Sequence, residues 1–334
     1  MITVVIPVRN EEKYISGCIE SLILQDYPKN EMEWVFVDGC SIDKTKDILF
    51  SYMQKYPKLI KVFDNPQKIT PCARNIGIEH SKGKYIIRMD AHSEYENDYI
   101  SKCVYYLDTI EADNVGGVVE TKSKTKIGGT IASMLSSSFG VGNSRFRTGG
   151  KDGFVDTVPF GAFKRDVFKN YGGYDERLVR NQDNEINYRI RKNGGKIYLS
   201  NNIKSSYYCR DSIKGISHMA LVNGKWNIIT MKLCPGSMGL RHFVPFLFVL
   251  SLVVLPALGF LWWPFWGLLG VELFLYFVLD VVFSIKSAKK INEFFLLMVL
   301  FPIFHLSYGI GSLIGIFTLF SKKYRDNKYK PRKI

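Results

Sequence analysis

The spacing of hydrophobic and polar positions alternates in a regular order along the first 100 residues. Short apolar runs rich in β-branched residues have the length of buried strands. These runs lie at 3–8, 33–38, 59–63 and 84–90. Between the first two, apolar residues recur three or four positions apart, as at Ile15, Ile19 and Leu22, which indicates one face of a helix. Strands that alternate with helices predict an α/β domain, Rossmann-like, with a mainly parallel sheet covered on both faces.

Residues 243–320 have a different pattern, because they are almost continuously apolar. The segments 243–263 and 264–285 each approach the ~20 residues that a membrane-crossing helix needs. Segment 294–320 is long and contains Pro302, so we expect it to be broken or re-entrant. The pattern therefore predicts a C-terminal α-helical transmembrane unit.

These patterns divide the chain into four parts. We expect a cytosolic domain at 1–212, an interfacial amphipathic linker at 213–242, the membrane unit at 243–320 and a basic cytosolic tail at 321–334. Met1 is followed directly by a strand pattern and lacks the basic start and apolar core of a signal peptide, which favours a cytosolic N-terminal domain. Lysines after the second apolar segment agree with a multi-pass protein of the cell membrane under the positive-inside rule.

The net charge of +14 does not indicate nucleic acid, because no nucleic-acid-binding motif accompanies it. Seven basic residues crowd into Lys322–Lys333, where an anionic lipid surface explains them better. The six cysteines form no C-x-x-C pair, so neither a zinc site nor a disulfide framework is indicated. We therefore expect membrane lipids, and no nucleic acid, as partners.

Two carboxylates end predicted strands: Asp38 follows Trp34–Val37, and Asp90 follows an apolar run that contains Arg88. Ligands of open α/β sheets collect at the carboxyl ends of strands, where an Asp can hold a ribose or a phosphate-bound cation. Asp38 before Gly39 could equally be a turn residue. The G-x-G-x-x-G loop is absent after the first strand, which disfavours a dehydrogenase.

The order of several motifs resembles the family 2 glycosyltransferases, which are inverting enzymes with the GT-A fold. The resemblance covers most of residues 1–200, and its closest likeness is to the membrane-attached branch containing the succinoglycan-biosynthesis glycosyltransferases. The motifs are Val5-Ile6-Pro7-Val8-Arg9-Asn10-Glu11, Val37-Asp38-Gly39, Ala73-Arg74-Asn75-Ile76-Gly77, Asp90-Ala91-His92, Gly173-Tyr174-Asp175-Glu176 and Gln182-Asp183-Asn184-Glu185.

The resemblance implies a binding site for a nucleotide-sugar donor. Its residues would be Pro7, Arg9, Glu11, Asp38, Arg74 and Asp90. Asp90 would also reach a divalent cation, Mn²⁺ or Mg²⁺, that neutralises the diphosphate. His92 stands where the family usually has a second acid. It either ligates the metal, which favours Mn²⁺, or contacts phosphate while Asp90 binds the metal alone.

The resemblance also implies that Asp183 is the catalytic base, although the acid usually found just before it is Gln182 here. An inverting transfer needs one carboxylate to take the proton of the acceptor hydroxyl. Asp175, Glu176 and Gln182 would lie on the acceptor side. The simpler interpretation of Asp183 is a helix-start residue favoured by the macrodipole.

Together these features predict a metal-dependent hexosyltransferase that moves one sugar from a donor, by family habit a UDP-sugar, to a lipid-linked saccharide acceptor in extracellular polysaccharide biosynthesis. A processive polysaccharide synthase is disfavoured, because the chain has Asn223-Gly224-Lys225-Trp226 where such enzymes have Gln-x-x-Arg-Trp, and because its spans are too few for a channel. A catalytically inactive membrane-anchored scaffold is the other alternative.

Overall fold

A computed structural model of the chain describes residues 1–321. The basic tail predicted at 321–334 lies outside the described residues except for Ser321. The described chain divides into two compact units. Unit 1 comprises Met1–Glu120 and Gly149–Tyr207, and unit 2 comprises Thr121–Thr148 and the described residues from Tyr208 onward.

Unit 1 is built on one twisted nine-stranded sheet with the order β3-β2-β1-β4-β8-β6-β9-β5, and β7 pairs with β9. The strands are β1 (Ile2–Val8), β2 (Met32–Asp38), β3 (Ile60–Asp64), β4 (Tyr85–Arg88), β5 (Ser93–Tyr95), β6 (Asn114–Lys122), β7 (Gly153–Phe154), β8 (Ala162–Lys164) and β9 (Ile197–Tyr208). The first four pair in parallel, as the sequence predicts, whereas β8 pairs antiparallel with both β4 and β6. The α/β prediction is confirmed.

The helices begin and end close to the predicted apolar stripes in the first half of unit 1. In chain order they are α1 (Ile15–Ile23), α2 (Thr45–Lys55), α3 (Thr70–Glu79), α4 (Tyr99–Thr109), α5 (Lys126–Leu135), α6 (Ser138–Val141), α7 (Arg145–Thr148), α8 (Arg165–Tyr171), α9 (Gln182–Lys192), α10 (Ile213–Leu233), α11 (Val244–Gly259), α12 (Pro264–Ser287) and α13 (Ile291–Leu319). Trp34, Phe36 and Phe168 are among the largest side chains fully buried in the core of unit 1.

The segment 136–155 is rich in Ser and Gly, a composition typical of loops, but it contains helical turns. Ser137 caps α6 by accepting a hydrogen bond from the Phe139 amide, and α7 follows after Gly142. The Phe139 ring then stacks on Phe283 at 5.2 Å between ring centroids. An aromatic anchor of this kind orders a segment that its composition alone marks as irregular.

Unit 2 centres on α13, which is continuous for 29 residues through Pro302. The break predicted in segment 294–320 is therefore wrong. Its partner is α10, the predicted linker helix, and the two backbones approach closely. A Cβ at Gly224 would lie 1.9 Å from the Tyr308 carbonyl oxygen, and one at Gly311 would lie 2.0 Å from that of Leu221. Glycines at these positions permit the close packing of α10 against α13.

Among the described residues, two helices are long and apolar enough to cross a membrane, Pro264–Ser287 and Ile291–Leu319. The helix at the predicted first span, Val244–Gly259, has 16 residues. It is about 24 Å long, less than the ~30 Å of hydrocarbon. The sequence prediction for 243–263 therefore overstated the length of this helix, because the chain leaves it before the aromatic turn at Trp262 and Trp263.

Candidate active site

The candidate site lies at the carboxyl ends of three neighbouring parallel strands. Strand β1 lies between β2 and β4, so Asp38 at the end of β2 and Asp90 just after β4 flank the end of β1. This is the edge of an open α/β sheet where ligands collect. The topology thus brings both predicted carboxylates to one edge.

Asp183 reaches this edge from α9. The helix begins at Gln182, after Asn181 in the left-handed conformation with φ 64°, and Asp183 occupies its first turn. Two arginines donate to the same carboxylate oxygen of Asp183: Arg88 Nη1, and Arg74 Nη1 at 3.2 Å. Among the described residues, no hydrogen bond is made to the other oxygen, Oδ2. One carboxylate oxygen is anchored, and the other accepts no hydrogen bond from the described residues.

The four charged side chains form one cluster. Arg74 Nη2 lies 3.9 Å from Asp90 Oδ1, so this guanidinium bridges the two carboxylates. The arginine side chains are only 4–6% exposed, whereas those of Asp90 and Asp183 are 24% and 32% exposed. Two cations and two anions balance, and the carboxylates are on the solvent side. A ligand entering the site therefore meets the carboxylates first.

The cluster changes the protonation of its members. Burial by itself would raise the pKa of Asp183, but the charges and hydrogen bonds of Arg88 and Arg74 outweigh it and lower the pKa below its usual range. Burial likewise opposes the charge of Arg88, yet Asp183 and Asp90 raise its pKa. Asp183 is therefore ionised at neutral pH.

Each of the two arginines lies over the face of an aromatic ring. The Arg74 guanidinium lies 5.0 Å from the centre of the Tyr174 ring, and that of Arg88 lies 5.3 Å from the Phe160 ring. Burial raises the pKa of Tyr174 to about 12. Its hydroxyl and the Nε atoms of both arginines are buried with no hydrogen-bond partner in the described part of the chain. Unpaired buried donors are uncommon and concentrate at functional sites.

The turn that carries Tyr174 is held from two sides. Asn75 Nδ2 donates to the Tyr174 carbonyl at 2.9 Å, and the Tyr174 amide donates to Asn75 Oδ1 at 2.7 Å. Arg189 donates to the Gly173 carbonyl at 2.8 Å and pairs with the buried Glu185 at 2.7 Å. Burial raises the pKa of Glu185. Helices α3 and α9 thereby fix the ring under Arg74.

Two residues that the resemblance assigns to the nucleotide-sugar and metal site contact each other. His92 Nδ1 lies 3.1 Å from Glu11 Oε1, and the Glu11 amide donates to Thr45 Oγ1 at 2.7 Å. His92 is 41% exposed. In the described part of the chain no group of three or more His, Cys, Asp or Glu residues is placed to hold a metal. An ion at Asp90 would take further ligands from substrate phosphates and water, as Mg²⁺ commonly does, and the exposed carboxylate of Asp90 fits that arrangement.

The remaining residues predicted to bind the nucleotide-sugar are Asp38, Pro7 and Arg9. Asp38 is fully buried, and Ser41 donates to it through its amide and its hydroxyl, the latter at 2.5 Å. This is the turn geometry of the simpler interpretation, and because Asp38 is fully buried, contact with a base or ribose would require the turn to move. Pro7 is half-buried in β1, and Arg9 is exposed with its side chain over Gly39. The roles assigned to these residues stay predictions.

The three predicted acceptor-side residues are all held by the protein. Asp175 is fully buried and its Oδ2 accepts from Arg177 Nη2 at 2.7 Å. Glu176 accepts from Asn75 at 2.9 Å, and Gln182 donates to the Val179 carbonyl at 2.7 Å. These bonds shape the turn before α9. An acceptor role for the three residues stays a prediction.

Sequence reasoning missed Arg88, Asn75 and Tyr174 as individual site residues. A signal existed for Arg88, because it is a charge inside the apolar run Ile86-Ile87-Arg88-Met89, and a charge buried in a strand needs a partner. The partner is Asp183, which is 95 residues away in the chain. No periodicity or spacing indicates such a pairing.

Comparisons with known proteins identify the family of the chain. The sequence model described as Glycosyl transferase family 2 matches residues 3–172. A dolichyl N-acetyl-alpha-D-glucosaminyl phosphate 3-beta-D-2,3-diacetamido-2,3-dideoxy-beta-D-glucuronosyltransferase of Methanococcus voltae is 29% identical over 92% of this chain and 95% of its own length. The succinoglycan biosynthesis protein ExoA of Rhizobium meliloti is 31% identical over 62% of this chain and 63% of its own length.

Solved structures share the fold at lower identity. The mannosyltransferase PcManGT of Pyrobaculum calidifontis, in complex with GDP-Man and Mn²⁺, superposes with a TM-score of 0.63 at 15% identity, covering 93% of this chain and 86% of that one. TarS 1–349 of S. aureus, in complex with UDP-GlcNAc, gives 0.54 at 17% identity, covering 95% and 92%. The GT-A-like α/β fold expected from the motifs is confirmed.

Proposed function

The chain belongs to glycosyl transferase family 2, and from that premise we propose that it is an inverting, metal-dependent transferase. It moves one sugar from a nucleotide-diphosphate donor to a lipid-linked acceptor in cell-surface polysaccharide biosynthesis. The names of the relatives support this class, since one acts on a dolichyl phosphate-linked sugar and another takes part in succinoglycan biosynthesis. A UDP-sugar is the proposed donor.

The main observation behind the proposal is the hydrogen bonding of the Asp183 carboxylate. Its Oδ1 accepts from two buried arginines, and its Oδ2 has no hydrogen bond from the described residues. A general base needs an ionised oxygen within reach of the hydroxyl that attacks. In a single displacement, that hydroxyl attacks the anomeric carbon opposite the leaving diphosphate while Oδ2 takes its proton. One carboxylate is then sufficient.

On the donor side, Arg74 and Asp90 carry the proposal. A guanidinium pairs well with phosphate oxygens, and Arg74 already lies between the two carboxylates. Asp90 would hold Mn²⁺ or Mg²⁺, which supplies stabilisation of the negative charge that develops on the leaving diphosphate. The pair of His92 and Glu11 lies on the same edge and would contact either this ion or a phosphate.

The apolar helices support a lipid-linked acceptor. Helices Pro264–Ser287 and Ile291–Leu319 have the length and composition of membrane spans. An enzyme held at a membrane meets a lipid-anchored acceptor at a fixed height and by diffusion in two dimensions, which reduces the entropic cost of orienting it. We propose that the protein is an integral protein of the cell membrane with unit 1 on the cytosolic side.

Calorimetric titration of the detergent-purified chain with UDP and with GDP, each with and without Mn²⁺, tests the donor site. We expect Mn²⁺-dependent binding of UDP that is lost in Asp90→Ala and kept in Asp166→Ala. Asp166 is the control because it is an exposed aspartate on α8 that pairs with the nearby Lys169. A preference for GDP would change the donor and keep the mechanism. Absence of binding by both nucleotides would favour the inactive scaffold.

A further inference from the structure

Arg88 is a buried charge at the end of β4. Its side chain is 4% exposed, between apolar neighbours on the strand, and it ends beneath the carboxylate of Asp183. A buried guanidinium without a partner would be strongly unfavourable, so this ion pair is required by the position of Arg88 in the sheet. The pair ties the central strand to the start of α9.

Arg74 contacts the same oxygen but in a different way. It reaches Asp183 at 3.2 Å and Asp90 at 3.9 Å, so it is shared between the base and the expected donor site. Arg88 forms its ion pair with Asp183. Of the two arginines, Arg88 is therefore the one whose contact is dedicated to the base.

We propose that Arg88 is the positioning residue of the catalytic base, holding Asp183 by Oδ1 so that Oδ2 faces the acceptor hydroxyl. The proposal rests on the proposed function, because it assigns Arg88 a role only through Asp183. Arg88 itself touches neither substrate. It acts by limiting the rotation of a carboxylate that is otherwise one-third exposed at the start of a helix.

The physical benefit is orientation. A displacement of a reacting group by about 1 Å can reduce turnover by about 100-fold, so a carboxylate free to rotate would be a poor base even when ionised. Anchoring by two donors on one oxygen fixes the direction of the second oxygen. The same contact lowers the pKa of Asp183, which keeps the base deprotonated at the cost of some basicity.

The test compares Arg88→Met and Arg88→Lys with the wild type in steady-state transfer assays over a range of pH. We expect Arg88→Met to lower kcat by about 100-fold with the KM for the donor changed by less than about 3-fold. Its pH profile should lose activity on the acid side at higher pH than the wild type, because removing the cation raises the pKa of Asp183. Arg88→Lys, which keeps the charge without the planar guanidinium fork, should recover part of kcat.

Two arginines serve as controls. Arg165 donates to the Gly83 carbonyl at 2.7 Å and to Ser81 at 2.8 Å, away from the cluster, so Arg165→Met should keep the wild-type kcat and pH profile. Arg74→Met should weaken donor binding as well as turnover, because Arg74 also neighbours Asp90. This split between kcat and KM separates positioning of the base from binding of the donor.

A double variant decides whether Arg88 acts through Asp183. In the background of Asp183→Asn, adding Arg88→Met should cause no further loss of kcat, because residues that act as a unit are not additive. A further 100-fold loss, or loss of nucleotide binding in Arg88→Met by calorimetry, would overturn the proposal. If Arg88→Met does not fold, as judged by its thermal melt, Arg88→Lys decides by the same criteria.

The outcomes separate this inference from the proposed function. Wild-type turnover in Asp183→Asn would overturn the function assigned to the base. Wild-type turnover and an unshifted pH profile in Arg88→Met, with Asp183→Asn inactive, would overturn only the role of Arg88.

Discussion

At the scale of single residues, the site depends on charges that are balanced before any substrate arrives. Two buried arginines neutralise Asp90 and Asp183, and the carboxylates remain on the open side. The proposed metal and nucleoside diphosphate would add charges of both signs, so the cluster would accept them together more readily than either alone. Each residue of the cluster can therefore be tested separately for binding and for turnover.

Asp183→Asn should nearly abolish transfer and leave donor binding nearly intact. The amide keeps the shape of the side chain but cannot accept the proton of the acceptor hydroxyl, so turnover should fall by about 10²- to 10⁴-fold. Transfer of radiolabelled sugar measures the first effect and calorimetry with the nucleotide measures the second. Near-wild-type turnover would show that another group is the base.

Tyr174→Phe should stabilise the substrate-free protein. The Tyr174 hydroxyl is buried without a partner among the described residues, so removing it relieves the cost of an unsatisfied donor, about 1 kcal/mol or more. We expect the Tm in detergent to rise by about 2 °C.

Tyr99→Phe is the matched control, because its hydroxyl is equally buried but donates to the Phe160 carbonyl at 2.7 Å. Its loss should lower the Tm. Equal decreases in the two variants would indicate that the Tyr174 hydroxyl is also paired in solution.

At the scale of elements, α9 positions both the proposed base and the turn before it. Asp183 lies in its first turn, and Arg189, two turns later, pairs with Glu185 and donates to the carbonyls of Tyr171, Gly172 and Gly173. One helix thus places the base and the Tyr174 ring relative to each other. A change near the end of α9 should affect chemistry at its start.

Arg189→Met should destabilise unit 1 by about 3–5 kcal/mol, because it leaves the Glu185 carboxylate buried without its cation. The Tm should fall by several degrees, and turnover should fall in the remaining folded fraction because the turn loses its restraint. Arg191→Met is the control: Arg191 is an exposed residue on the same helix that donates to the Asp156 carbonyl at 3.1 Å. A similar Tm for both variants would contradict this role of Arg189.

At the scale of the whole molecule, a catalytic fold and a set of apolar helices belong to one chain. The turn between α11 and α12 exposes Trp262 and Trp263, which are 62% and 77% accessible, and Trp266 follows. Indole rings favour the interface between lipid headgroups and hydrocarbon. The proposed membrane attachment therefore has an intrinsic fluorescent reporter.

In vesicles that contain brominated phospholipids, we expect strong quenching of the tryptophan fluorescence of the reconstituted chain. Replacing Trp262, Trp263 and Trp266 together by Phe should reduce this quenching to the part that Trp226 on α10 contributes, because Trp34, the other remaining tryptophan, is buried in the core of unit 1. Recovery of the chain outside the lipid fraction on flotation, or quenching unchanged by the three substitutions, would contradict insertion of this turn.

The sequence by itself determined the elements and the family. Strand-length apolar runs predicted β1 to β4 and their parallel order, strand ends marked Asp38 and Asp90, and ordered motifs indicated family 2. These features are local, since a hydrophobic period or a motif is contained within a few consecutive residues.

Only the tertiary structure decided which charges meet. Arg88 and Asp183 are 95 positions apart, and their contact exists because the sheet order brings the end of β4 beside the start of α9. Tertiary structure also decided the surroundings of Asp38, which accepts hydrogen bonds from Ser41. It likewise decided the course of α13, which stays continuous through Pro302 and packs along α10. A local sequence pattern does not indicate which distant residues interact. The motifs therefore predicted Asp183 as the base, whereas only the fold identified Arg88 as its partner.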